Sequence, residues 1–174
     1  THCPASNQKL ASGTARILDL HKAGVNVALG TDGPASGNDL DLWLAMRLAG
    51  YAQKNTSHDP TVLPALDVLR MATINGARAL HADHLIGSLE VGKAADIIVL
   101  DADSPSLTPI FDPHVAIVAA AGRGDVMSVI VNGQVVVHEK RVLTINHAET
   151  VQKVHALGGV VMAAVEEVER SRRK

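Results

Sequence analysis

A chain of 174 residues with 47% apolar content is long enough to bury a sizeable core as one domain. Its 16 basic and 18 acidic residues give a formal charge of -2, which leaves no large field to recruit nucleic acid or an acidic membrane surface. No apolar run is long enough to span a bilayer, no signal-peptide pattern is present, and the single cysteine, Cys3, excludes an internal disulfide, all of which suits a cytoplasmic location.

The chain opens Thr1-His2-Cys3-Pro4, without an initiator methionine, which processing or truncation would explain equally. Ser6 to Leu10 reads as a turn whose side chains bond the backbone. Thr14 through Ala23 follows as a helix, with Ile17, Leu18 and Leu20 on its apolar side, Lys22 in its last turn and Gly24 just beyond its end. Val25 to Gly30 is almost continuously apolar, as a parallel strand covered on both faces would be. After a loop of small residues, Asn38 or Asp39 can cap a helix from Leu40 to about Gln53, where Leu40, Leu44, Leu48 and Tyr51 share a face.

Residues 54 to 60 form a polar turn, and a helical pattern runs from about Pro64 to Leu80 with a break at Asn75-Gly76. The pattern then changes. Ala95 to Leu100 and Val126 to Val131 read as strands, a short helix is expected over Pro113 to Ala121, and Asn132-Gly133 has the composition of a tight hairpin turn. From His147 to about Arg170 the apolar residues Val151, Val154, Leu157, Val161, Val165 and Val168 fall near helical spacing, though Gly158-Gly159 weakens the middle. The terminal basic cluster Arg170, Arg172, Arg173 and Lys174 suits a helix C-terminus or a frayed tail.

Gly87 to Ala94, "GSLEVGKA", matches the glycines and lysine of a phosphate loop but lacks its hydroxyl residue, carries Glu90 where phosphate would sit, and precedes a strand-like run. It reads instead as a tight turn with Lys93 exposed. The nine histidines invite a metal site, yet His81 and His84 have no third ligand nearby and His21, His58, His114, His138, His147 and His155 are isolated surface positions. His2 and Asp32 differ, because both precede proline- or glycine-containing loops. Asp32 in particular ends an apolar strand, and strand ends are where reacting groups gather in parallel barrels. Helix capping is already served by Asn38 and Asp39.

The blocks "HCPASNQKLASG" (residues 2–13), "GVNVALGTDGPASGNDLD" (24–41), "LRMATINGARAL" (69–80) and "IGSLEVGKAADIIVLD" (86–101), with "DVMSVIVNGQVVV" (125–137), resemble the amidohydrolase superfamily. The branch they resemble is that of the methylthioadenosine/S-adenosylhomocysteine deaminases and their chlorohydrolase-like relatives. The resemblance implies an α/β fold: the C-terminal part of a (β/α)8 metal-dependent hydrolase barrel over residues 1–84, part of a small β-sandwich domain over 85–145, and a C-terminal helix over 146–174. It implies a hydrolase acting on C–N bonds other than peptide bonds, with one divalent metal, usually zinc. Asp32 would be the eighth-strand aspartate that ligates or approaches the metal and takes a proton from bound water, so it is both the catalytic and the metal-binding candidate. His2 would lie in the loop after the seventh strand and line the substrate site.

The remaining ligands of that family, including its His-x-His pair, have no counterpart here, and the "HAE" at His147–Glu149 falls outside the barrel blocks. The chain is therefore expected to be an inactive C-terminal portion of a purine-nucleoside deaminase that cannot hold the metal tightly alone. Alternatives are an amino- or chlorohydrolase of guanine, a triazine or a related heterocycle, and a non-catalytic interaction module. The expected partner is a small amino-heterocycle, with neither nucleic acid nor membrane, and exposure of apolar faces by truncation points to homo-oligomer formation.

Overall fold

Residues 1–173 are described by a computed structural model; Lys174, counted above in the basic cluster, lies outside the described residues. The first element departs from the expected turn. Proline at the first helical position fixes φ where no N–H is needed, and Pro4–Lys9 closes into a helix, α1. The next helix, α2, is shorter than the spacing predicts, Ile17–Lys22: Gly13 turns at φ +91 and residues 14–16 stay outside the helix. Gly24 follows it at φ +74, as its position past the helix end requires.

Val27, Ala28 and Leu29 are buried as a covered strand should be. They do not join a ladder, however: among the described residues the segment makes one parallel bridge, Leu29 with His2. His2 N–H donates to the Ala28 carbonyl at 2.8 Å, and Gly30 N–H donates to the His2 carbonyl at 2.9 Å. The other edge is taken by helix ends rather than a strand. Leu29 N–H donates to the Met71 carbonyl at 2.9 Å, and the Asn75 side-chain amide donates to the Val27 carbonyl at 3.1 Å. The buried backbone groups thus find partners without an extended sheet.

A single helical turn, α3 (Pro34–Gly37), leads to α4 (Leu42–Ser57). Asp41, not Asn38 or Asp39, is its N-cap: the carboxylate accepts from the Trp43 and Leu44 N–H groups at 2.8 and 3.2 Å. The helix also outlasts the expected Gln53 and consumes part of the supposed polar turn, ending where His58 adopts φ +53. The long pattern from Pro64 divides into α5 (Ala65–Ala72) and α6 (Ile74–Ala79). The break falls at Thr73, with φ -128 and ψ -98, two residues before the expected Asn75-Gly76. Asn75 is held inside α6 by its bond to Val27, and the Asn26 side chain returns a bond to the Asn75 carbonyl at 2.9 Å. Ile17, Leu29, Met46, Val68 and Met71 form the core between these helices and the 27–29 segment. Each such burial contributes roughly 1.5–3 kcal/mol.

Beyond Ala82 the chain runs through turns to an antiparallel sheet of order β1-β2-β3-β4, formed by Ile97–Leu100, Val126–Val131, Gln134–His138 and Arg141–Val142. Asn132 and Gly133, at φ 48 and 77, make the hairpin between β2 and β3. This is one sheet among the described residues, so a sandwich rests on the resemblance alone. The turn before β1 also corrects an expectation. Lys93 is not exposed: its side chain is 12% exposed, donates to Ser88 Oγ at 2.6 Å and pairs with Glu90 at 3.2 Å.

Between β1 and β2 the chain goes back to the helical layer. Asp112 caps α7 (Pro113–Val115), which continues through a wider turn over Ala116–Ala120. Val118 joins the core of Ile17 and Met71, so packing does not divide at residue 84. Last comes α8 (His147–Arg172), capped by Asn146, whose side chain accepts from Glu149 N–H at 3.2 Å. No residue of α8 is buried, and Val154, Leu157 and Val161 of its apolar stripe are about 60% exposed. No helix among the described residues is long and apolar enough to cross a membrane.

Candidate functional site

The buried segment 27–29 ends against the loop Gly30–Asp41, and Asp32 sits at its mouth. Gly30 is needed for the close approach of the two paired segments: a Cβ there would lie 2.9 Å from Thr1 Cγ2 and 3.2 Å from Cys3 Sγ. Two residues on, Asp32 takes φ +58, a left-handed conformation that aspartate tolerates better than most residues. The residue is exposed there.

Oδ1 of Asp32 accepts from Gly33 N–H at 2.8 Å. The Ser36 hydroxyl, the Gly33 N–H and the hydroxyl of Ser6 on α1 together hold the carboxyl below its ordinary value, against a smaller desolvation effect. Asp32 is therefore ionised at neutral pH, with lone pairs free to accept a proton or to bind a cation. Lys9 fastens α1 to the same loop, donating to the Ala35 carbonyl at 3.4 Å and to Asn38 Oδ1. At the far end, Arg123 pairs with Asp39 at 3.0 Å and with Asp41 at 3.2 Å. Sequence reading missed Ser6, Lys9 and Arg123, because nothing local ties them to Asp32. Ser36 stood in the glycine-rich loop and could have been singled out there.

His2 is placed differently from the expectation. It lies in the bridged segment itself rather than in the loop beyond it. Bridged residues share a side, so His2 stands with Leu29 of the core, while Thr1, Cys3 and Gly30 approach one another on the opposite side. The ring is 5% exposed and neither of its nitrogens has a hydrogen-bond partner. Burial pushes its pKa down, which favours the neutral ring. Asn7, Gln8, Thr14 and Ala52 surround the narrow gap beside it. Gly33 N–H thus holds the Asp32 carboxylate, the Ser36 hydroxyl donates to the Gly33 carbonyl at 3.0 Å beside it, and His2 is buried beside a narrow gap between α1 and Ala52 of α4.

The other histidines are scattered: His21 and His114 are half-buried and His58, His81, His84, His138, His147 and His155 are exposed. Among the described residues no three His, Cys, Asp or Glu side chains converge on a point. One carboxylate does not fit a complete metal centre, which takes three or four donors.

The family model described as "Amidohydrolase family" matches residues 1–136. The chain belongs to the amidohydrolase family. This amidohydrolase is 45% identical over 160 residues to the 5-methylthioadenosine/S-adenosylhomocysteine deaminase of Syntrophobacter fumaroxidans, covering 92% of this chain and 36% of that one. It therefore spans little more than a third of that relative's length. Among solved structures it is similar to an adenosine deaminase of Xanthomonas campestris with bound zinc, at TM-score 0.90 and 38% identity, covering 93% of this chain and 37% of that one. It is also similar to the atrazine chlorohydrolase of Arthrobacter aurescens complexed with zinc, at TM-score 0.81 and 32% identity over 90% of this chain and 35% of the other. The α/β fold of a partial barrel-type hydrolase fits both neighbours.

Proposed function

We propose that this amidohydrolase chain is the C-terminal portion of a metal-dependent deaminase that releases ammonia from a purine nucleoside such as methylthioadenosine or S-adenosylhomocysteine. The observation that carries the reading is Asp32: an exposed carboxylate at the end of a buried segment, inside the stretch that matches the family. The Syntrophobacter relative's name supports the substrate class.

Asp32 would supply one carboxylate to a divalent metal, zinc in this reading, whose other donors lie outside the chain. The metal would contribute Lewis-acid activation when bound. What Asp32 itself does is hold a negative charge at the loop mouth and take up a proton there. One of its oxygens is oriented by Gly33 N–H, so the carboxylate does not need to be organised anew when substrate arrives. His2, buried and with neither ring nitrogen hydrogen-bonded among the described residues, is kept in this reading as the substrate-lining candidate. A cytoplasmic location belongs to the same proposal and rests on the free thiol of Cys3. So does self-association, supported by the exposed stripe of α8.

The test is an ammonia-release assay on the full polypeptide of the reading frame, with methylthioadenosine, S-adenosylhomocysteine, guanine and a chlorotriazine as substrates. The nucleosides are expected to turn over, Asp32→Asn is expected to lose activity and bound metal together, and the 174-residue chain alone is expected to be inactive. Turnover of an adenosine derivative by that isolated chain with stoichiometric zinc would overturn the reading. The similarity to a chlorohydrolase keeps a triazine hydrolase as the second reading, and preferential halide release from the chlorotriazine would favour it.

A further inference from the structure

The loop that begins at Asp32 is fixed near its start by main-chain bonds and near its end by a side chain from far along the sequence. At the start His2 is bonded through its main chain to Ala28 and Gly30, and Lys9 holds the middle at Ala35 and Asn38. At the end, Arg123 Nη1 meets Asp39 Oδ1 at 3.0 Å, and Arg123 Nε meets Asp41 Oδ2 at 3.2 Å, from 84 residues away in the first case. Asp41 divides its carboxylate: Oδ1 caps α4 and Oδ2 takes the guanidinium. Two carboxylates so close in sequence would repel without a cation between them. A planar guanidinium can serve both with separate N–H groups, which a lysine ammonium of similar reach cannot do with the same geometry.

Arg123 is itself anchored. It opens the short turn Arg123–Asp125 that leads into β2, and buried Asp125 accepts from Gly122 N–H at 2.8 Å and Ser106 Oγ at 2.6 Å. Arg47 of α4 donates to the Ala121 carbonyl at 2.7 Å beside it. The guanidinium is thus presented from a held turn, not from a free tail.

We propose that Arg123 is a positioning residue for the Asp32 loop: by bridging Asp39 and Asp41 it ties the end of the loop to the sheet region, so that Asp32 is presented from a segment fixed at both ends. This rests on reading Asp32 as the site carboxylate. The consequence is that the C-terminal sheet region acts on the site through one side chain without touching substrate.

The experiment follows backbone amide exchange by NMR in the full polypeptide, beside deaminase kinetics. Gly37 and Asn38 N–H groups bond the Gly33 and Pro34 carbonyls at 3.0 and 2.9 Å and report on the loop. Arg123→Gln is expected to speed their exchange about fivefold, the scale of a partly exposed ion pair, and to leave β2 amides unchanged. Arg123→Lys should restore part of the protection, and Asp39→Asn should give a smaller change of the same sign. In the kinetics, kcat is expected to fall several-fold with a lesser change in KM. Unchanged exchange at Gly37 and Asn38 in both Arg123→Gln and Asp39→Asn would overturn the proposal, as would an equal rise in β2, which marks general destabilisation. If Arg123→Gln does not fold, Asp39→Asn and Arg123→Lys decide by the same criterion. If the parent does not deaminate, the functional reading fails while the exchange result still decides the role of Arg123.

Discussion

Replacing Gly87 by alanine perturbs the fold in two separable ways. Gly87 has φ +93, which an L side chain adopts at a cost of about 1–2 kcal/mol. Its added Cβ would also lie 2.6 Å from Ala77 Cβ and 3.1 Å from Ile74 Cα, against a normal carbon–carbon contact of about 3.5–4.0 Å. Neither neighbour is the end of a flexible side chain, so α6 itself must move, and overpacking of that kind costs about 1–3 kcal/mol. Gly92 supplies the control, since it has φ +95 with open space around the same added atom. Equilibrium urea unfolding followed by circular dichroism is expected to show about 2–5 kcal/mol lost in Gly87→Ala and about 1–2 kcal/mol in Gly92→Ala. Losses within about 0.5 kcal/mol of each other would refute the reasoning, because they would mean that backbone conformation alone sets both.

His2 makes stability fall with acid. Its folded pKa is depressed by burial, so the unfolded chain binds the proton more readily, and stability drops as pH falls through the unfolded value of 6.5. His2→Leu should therefore narrow the gap between melting temperatures at about pH 8 and about pH 5. Asp125 acts further down the scale: hydrogen bonds from Ser106, Ser104 and Gly122 depress its pKa, so its contribution is present above the unfolded value of 3.8 and is lost as pH falls through the lower folded one. Asp125→Asn should flatten the acid limb of the stability curve below about pH 4, measured by urea midpoints. Asp41→Ala removes the cap of α4 and one partner of Arg123, and is expected to cost about 1–2 kcal/mol in the same unfolding assay.

Elements whose cause is local were readable from the chain. The strand Val126–Val131 and the Asn132-Gly133 turn have the expected ends, because positive φ at both turn positions is a property of those residues. The helix after Asn146 and the turn after Asp112-Pro113 are equally local. Elements decided by distant partners were not. The break at Thr73 reflects Asn75 being held by Val27, 48 residues away, and the near-absence of a ladder at 27–29 reflects helix ends taking its edge. Asp32 could be picked out because an ionisable group at the end of an apolar run has few structural reasons to be there. Its hydroxyl neighbour on α1, and the arginine that holds its loop, could not, since no periodicity links residues 6, 32 and 123. The setting of His2 was hidden for the opposite reason: a histidine before a proline looks like a loop residue until its burial and its bridge to Leu29 are seen.

The arrival of Val118 in the core built by Ile17, Leu29 and Met71 also sets an order of events. The helices that build this core all precede in sequence the residue that covers them. The Arg47 bond to Ala121 spans 74 residues and the Arg123 bond to Asp39 spans 84, so closure waits for contacts of high sequence separation. Until then the apolar faces of α4 and α5 stand open to chaperones and to one another. Folding of this region is in that sense two-paced: the helices are local and fast, and the seal is distant and late.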